Sequence, residues 1–271
     1  MLLSRLPSVG AARFRALLEF YKNPVTAMKE FVHSSAVPLS LRSQTKSRVE
    51  AQISLTIQKL KDREIFGCYF SHPDYPAGLS DLTEPPPVLF SSNRWLGGRF
   101  AAVVGARKAA YSCQPLVKKI VRQLISAGYI VVSGGAVGID SFAHIASIEA
   151  ERPTIAVLGN GLDVVYPEAN RELFERIKKG GGALLSEFLC GTRPHRSFFP
   201  TRNRIIAGLC EVVVIVQAGE KSGSLITANW ARKLNRRLFV KKPDSDANGS
   251  WDGNRLLINS GAISFTEELP M

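Results

Sequence analysis

The chain has 271 residues, 45% hydrophobic and 21% charged, the composition of an ordinary folded soluble protein with room for one sizeable core and a smaller companion domain. Thirty-five Lys and Arg against 23 Asp and Glu give a net charge of +12 and a pI near 9.8, which favours a polyanionic partner but says nothing about sequence specificity. Four scattered cysteines, Cys68, Cys113, Cys190 and Cys210, form no CxxC pair, which argues against a zinc site and for a reduced, cytoplasmic chain.

The first 14 residues carry Arg5, a proline and a glycine but no long apolar run, so no signal peptide is predicted, and no later stretch approaches a membrane span. Residues 1–62 read as all-helical and basic. A turn at Leu6-Pro7-Ser8-Val9-Gly10 leads into an amphipathic run through Phe14, Leu17, Leu18 and Tyr21, with further helices over Pro24–Val32 and Leu41–Leu60. The turn resembles the hairpin of a helix-hairpin-helix or SAM-like module, which holds a DNA backbone through main-chain amides. A small bundle that only packs on its neighbour accounts for the pattern equally well. Residues 63–99 read as a connector packed on the core, with a strand-like stretch at Ile65–Phe70 and prolines dense enough to mark an ordered, irregular loop.

From Phe100 onward, short apolar strands alternate with amphipathic helices. Strands are predicted at 100–104, 129–133, 154–158, 182–186, 212–217 and 237–241, and helices at Gln114–Ser126, Ser141–Ala150, Glu168–Lys179 and Leu225–Asn235. A strand such as Val212-Val213-Val214-Ile215-Val216 is apolar on both faces, which implies a parallel sheet covered on both sides. Residues 100–271 are therefore predicted to form a doubly wound, Rossmann-like α/β domain, preceded by the small helical one.

Ligands of such a sheet lie beyond the carboxyl ends of its strands. The loops there are Gly105-Ala106-Arg107-Lys108, Ser133-Gly134-Gly135-Ala136-Val137-Gly138, Gly159-Asn160-Gly161 with Tyr166-Pro167, Ser186-Glu187, and Lys221-Ser222-Gly223-Ser224. Glycines let a backbone approach an anion, and the free amides of a following helix complete the site. Phe199-Pro200-Thr201-Arg202-Asn203-Arg204, preceded by Arg193, His195 and Arg196, reads as a polar loop that brings guanidinium forks and aromatic faces together. That combination suits nucleic acid. The competing interpretation is an arginine cluster whose partners are carboxylates distant in sequence.

Enzymatic signatures are sparse. There is no Walker A sequence, and neither glycine loop completes GxGxxG, so neither P-loop hydrolysis nor a nicotinamide cofactor is expected. Asp140 and His144 lie four apart on a predicted helix and suit an acid–base pair, although an Asp at a helix start also serves as a cap. No Ser or Cys nucleophile has a convincing His partner.

Taken together, these loops resemble the DNA-processing protein A (DprA/Smf) family. The resemblance rests on Gly105-x-Arg107, Ser133-Gly134-Gly135-x-x-Gly138-Ile139-Asp140-x-x-Ala143-His144, Tyr166-Pro167, Ser186-Glu187, Phe199-Pro200-x-Arg202-Asn203-Arg204 and Ser222-Gly223-Ser224, in the same order along nearly the whole chain. It implies a non-enzymatic, cofactor-free, homodimeric protein that protects incoming single-stranded DNA and loads RecA recombinase onto it during natural transformation. The site it implies comprises Arg107, Ser133, Gly134, Gly135, Arg196, Phe198, Phe199, Arg202, Asn203 and Arg204, to which the strand-end loops add Gly105, Lys108, Ser222 and Gly223. Arg202 and Arg204 are expected to be the main phosphate forks, with their alanine variants losing DNA affinity without unfolding. Loop amides and Arg107 are expected to hold further phosphates, and Phe198 or Phe199 to stack a base. Many members carry an arginine where this chain has Val137, and many continue into a winged-helix domain, whereas this sequence ends at Met271. Two alternatives are a phosphoribohydrolase-like enzyme, whose PGGxGT loop the chain does not match, and a mononucleotide-binding sensor.

Overall fold

Among the described residues, nine strands form one sheet in the order β1-β2-β6-β5-β4-β3-β7-β8-β9. The computed structural model describes residues 55, 57–70, 72–94, 96–243 and 249–271; the predicted N-terminal helices lie outside these, apart from residues 55 and 57–60 of the third, which are helical. The six predicted strands appear as β3 (Arg99–Val104), β4 (Tyr129–Ser133), β5 (Thr154–Leu158), β6 (Ala183–Ser186), β7 (Val212–Ile215) and β8 (Arg237–Lys241), joined at one edge by β9 (Ile263–Phe265). All seven pair in parallel. The chain winds outward from β3 in both directions, which is the doubly wound, Rossmann-like arrangement.

The connector does more than link. Its residues supply β1 (Phe66–Tyr69) and β2 (Val88–Ser91), which add antiparallel to the β6 edge. Asn93 fastens this extension by donating its side-chain amide to the carbonyls of Lys178 and Gly182. The same stretch carries α1 (Ala77–Ser80), whose Leu79 is fully buried.

Alternation along the central strands divides the core into two layers. Ala101 and Val103 of β3 meet Val117, Ile120 and Val121 of α2 (Cys113–Ser126) and Ile139 and Ala143 of α3 (Ile139–Glu149). The same layer continues over β5 and β6 with Leu173, Phe174 and Ile177 of α4 (Arg171–Lys179). Phe100, Ala102 and Val104 point the other way. They join Ile205, Ile206 and Leu209 of α5 (Phe198–Leu209), Ala228 and Ala231 of α6 (Ser224–Lys233), and Leu257 of α7 (Asp252–Asn259).

The largest departure from the predicted elements is α5, which the sequence presents as a polar loop. Its residues from Arg202 to Leu209 are all buried, polar ones included, so no amphipathic stripe marks it as a helix. Pro200 falls within its first turn, where a missing amide costs nothing. Among the described residues no helix is long and apolar enough to cross a membrane, and no cluster of three His, Cys, Asp or Glu side chains has metal-binding geometry.

Candidate nucleic-acid interface

Connections from β3 and β7 leave the sheet toward opposite faces, so their carboxyl-end loops part and leave a crevice of about 760 Å³. Gly105 ends β3 where a Cβ would meet Ile139 Cγ1 at 2.7 Å and the Gln217 carbonyl at 2.8 Å, so only glycine lets these loops close on one another. Arg107, Lys108, Arg196 and Lys221 line the crevice and are all exposed. None forms an ion pair among the described residues. Among the described residues, the only carboxylate in the lining is the buried Asp140. Ser222 and Gly223 contribute the start of α6, held to α5 by the Asn203 side-chain amide donating to the Gly223 carbonyl at 3.0 Å.

The structure distinguishes the two phenylalanines. Phe199 faces the crevice, its ring 5.5 Å from that of Tyr166 and with the Arg107 guanidinium 5.2 Å from its centroid. Phe198 is half-buried against Phe188, centroids 4.3 Å apart, with His195 at its edge. Phe198 thus holds the 187–197 loop in place, while Phe199 presents an aromatic face beside an exposed cation. Tyr166 and Lys221, which the sequence offers only as loop residues, join the site because their strands end at the same edge.

Arg202 and Arg204 require a correction. Arg202 is 5% exposed, and its Nη1 donates to the carbonyls of Gly134 and Val157 while Nε donates to Asn203 Oδ1 at 3.1 Å. Burial lowers its pKa to about 10, which the nearby Asp140 charge opposes and that of Arg107 reinforces, so it is still a cation at neutral pH. Arg204 grips Glu187 with two parallel bonds of 2.7 and 2.6 Å and donates to the carbonyls of Glu84 and Thr201, both at 3.0 Å. The Arg204 fork is occupied internally, and Arg202 commits Nη1 and Nε to internal acceptors, so the geometry favours bracing over the expected role as main phosphate forks. For Arg204 the distant-carboxylate interpretation is the one that holds.

The glycine loop is also pinned from within. Asp140 Oδ2 accepts the amides of Gly134 at 3.1 Å and Ala136 at 3.4 Å, and Asn170 donates to the Gly135 carbonyl at 2.9 Å. The Gly134 amide expected to meet a phosphate is therefore already committed. Ser133, fully buried, donates its hydroxyl to the Val103 carbonyl at 2.7 Å and lies behind the loop. Gly135 takes φ +67°, and a Cβ there would stand 3.0 Å from Leu158 and Phe174, so the loop's shape depends on glycine.

Asp140 and His144 do not form an acid–base pair at the surface. His144 is fully buried, its Nδ1 2.9 Å from Thr154 Oγ1 and its Nε2 without a partner among the described residues. Burial, reinforced by the Arg202 charge, lowers its pKa from 6.5 to about 3. As pH falls below 6.5 the unfolded chain takes up the proton before the folded one, so stability is lost progressively down to about pH 3. Going from pH 7 to 5 is expected to cost about 2 kcal/mol through this residue. Urea unfolding at both pH values should show a smaller loss for His144→Gln; an identical loss would contradict the assignment.

Comparison with known proteins gives a consistent picture. Residues 67–269 match the family model described as DNA recombination-mediator protein A. The Bacillus subtilis DNA processing protein DprA is 40% identical over 209 residues, 74% of this chain and 70% of that protein. Protein Smf of a Synechocystis species is 42% identical over 201 residues, 72% of this chain, but the match spans only half of that relative. Among solved structures, DNA processing protein A of Streptococcus pneumoniae superposes with a TM-score of 0.71 at 33% identity, covering 90% of this chain and 80% of that one. The Helicobacter pylori protein, solved to explain its single-stranded DNA binding mode, gives 0.63 at 29% identity, covering 73% and 90%.

Proposed function

The chain belongs to the DNA recombination-mediator protein A family, and from that premise we propose that it binds single-stranded DNA in the crevice beyond β3 and β7. The observation that carries this reading is the crevice's charge: four exposed cations, without ion-pair partners among the described residues, lie around the aromatic pair of Phe199 and Tyr166. Arg107, Lys108, Arg196 and Lys221 hold successive phosphates, Phe199 stacks a base, and the start of α6 at Ser222 and Gly223 adds backbone donors. Arg202, Asn203 and the Gly134–Gly135 loop shape the floor. The buried Asp140 and His144 leave the crevice without an accessible acid–base pair, which favours binding over hydrolysis of nucleotides.

In this reading the protein works in the cytoplasm as a homodimer that protects incoming strands during natural transformation and hands them to RecA. A RecA-loading assay on strands coated with single-strand-binding protein tests the last step, and native mass spectrometry tests the dimer. The binding itself is tested by fluorescence anisotropy with labelled oligo-dT and its duplex across a salt series. Tight single-strand binding, a weaker duplex and a steep salt slope are expected. Arg107→Ala and Lys108→Ala should each flatten the slope by about 0.7, the value for one single-strand phosphate contact. Unchanged slopes in both variants would remove these residues from the interface, and no oligonucleotide binding at low salt would overturn the reading.

A further inference from the structure

Tyr111, which neither the fold nor the crevice accounts for, is 80% exposed, twice as much as Tyr166. A single apolar ring at the surface is ordinary, but the turn that carries this one is fixed at both ends. The Ala106 amide donates to the Gln217 carbonyl at 2.7 Å, and the Ala110 amide donates to Gln217 Oε1 at 3.1 Å. Gln217 is itself only 3% exposed, so the turn is bolted to the end of β7. Phe142 of α3 then braces the ring at its side, with centroids 6.0 Å apart and planes at 72°. The fold therefore holds an aromatic ring out in water on a pinned support.

The same turn carries two of the crevice's cations, Arg107 and Lys108. Along it lie a guanidinium against the Phe199 ring, a second cation, and then the Tyr111 ring. Tyr111 is four residues beyond Arg107, so their α-carbons are at most about 14 Å apart. No acidic residue occupies the first turn of α2, which begins at Cys113, so this segment sets no carboxylate against a phosphate.

We propose that Tyr111 is a second base-stacking platform, outside the crevice, for a nucleotide further along the strand than the one on Phe199. The inference rests on the single-strand reading of the crevice. Lys108 holds a phosphate between the two stacked bases. Ala109 and Ala110 offer no side-chain hydrogen bonds beside the ring, so the platform takes any base by its face. A base enclosed in a duplex has no free face to give it, and the contact therefore favours single strands. Strands long enough to reach both rings gain an affinity increment that shorter ones lack.

The test is anisotropy with oligo-dT strands lengthened one nucleotide at a time, for the wild type, Tyr111→Ser and Tyr111→Phe. Wild-type affinity should step upward at one length. Tyr111→Ser should abolish that step, about five- to tenfold, while binding the strands below it normally. Tyr111→Phe, which keeps the ring, should restore the step. The salt slope should be the same in all three, since no phosphate contact is removed. Because the side chain is exposed, the serine variant leaves the core untouched, and a urea unfolding curve checks this. Wild-type affinity of Tyr111→Ser at every length overturns the proposal, and so does an equal loss at every length, which would place the ring in the crevice contact itself. Failure of the wild type to bind any strand defeats the single-strand reading instead.

Discussion

Arg204→Ala is expected to lower the unfolding free energy by about 3–5 kcal/mol, the range for breaking a buried ion pair by removing one partner. The side chains of Arg204 and Glu187 are only 9% and 11% exposed, so the substitution strands a carboxylate inside the protein and also frees the Glu84 and Thr201 carbonyls. The pair ties the first turns of α5 to the loop after β6, the same loop whose Phe188 supports Phe198. Urea denaturation measures the loss directly. Replacing both partners by apolar residues, as in Arg204→Met with Glu187→Leu, should recover a large part of it, because neither charge is then left buried alone. If Arg204→Ala instead keeps wild-type stability while losing DNA affinity, the arginine is a ligand and not a brace.

Phe199→Leu carries the second large effect. Affinity for oligo-dT should fall by about 1–3 kcal/mol, the contribution of stacking one base on an aromatic ring. Leucine keeps apolar contact with Gly159, whose Cβ position lies 3.0 Å from the Phe199 ring, so the loss reports stacking and not collapse of the pocket. The salt slope should hardly move, since no phosphate contact is removed, and this separates Phe199 from Arg107 and Lys108. Anisotropy over a salt series reads both quantities, and wild-type affinity in Phe199→Leu would place the stacked base elsewhere.

These two side chains mark the limit of what local sequence conveys. Strands such as Val212–Ile215 and helices such as Cys113–Ser126 were legible because their apolar patterns reflect burial on both faces and on one face. The crevice's position was legible too, since Gly105, Arg107, Ser222 and Gly223 follow strands whose carboxyl ends must share one edge. Phe198–Leu209 was not legible as a helix, because its polar residues are buried along with the apolar ones and no periodic stripe survives. Likewise β2 was hidden among prolines, and becomes a strand through pairing with β1 and β6.

By itself the sequence determined the α/β class, the parallel pairing of the main strands, the basic charge and the set of loops at one edge, all of which follow from periodicity, composition and the geometry of such sheets. Only the tertiary structure decided what each polar side chain does there. Arg202 meets carbonyls 68 and 45 residues away and Arg204 a carboxylate 17 residues away, while Arg107 and Lys221 are left to solvent. Whether a guanidinium braces the fold or meets a ligand depends on which acceptors the folded chain brings to it, and that proximity has no local signature in the sequence.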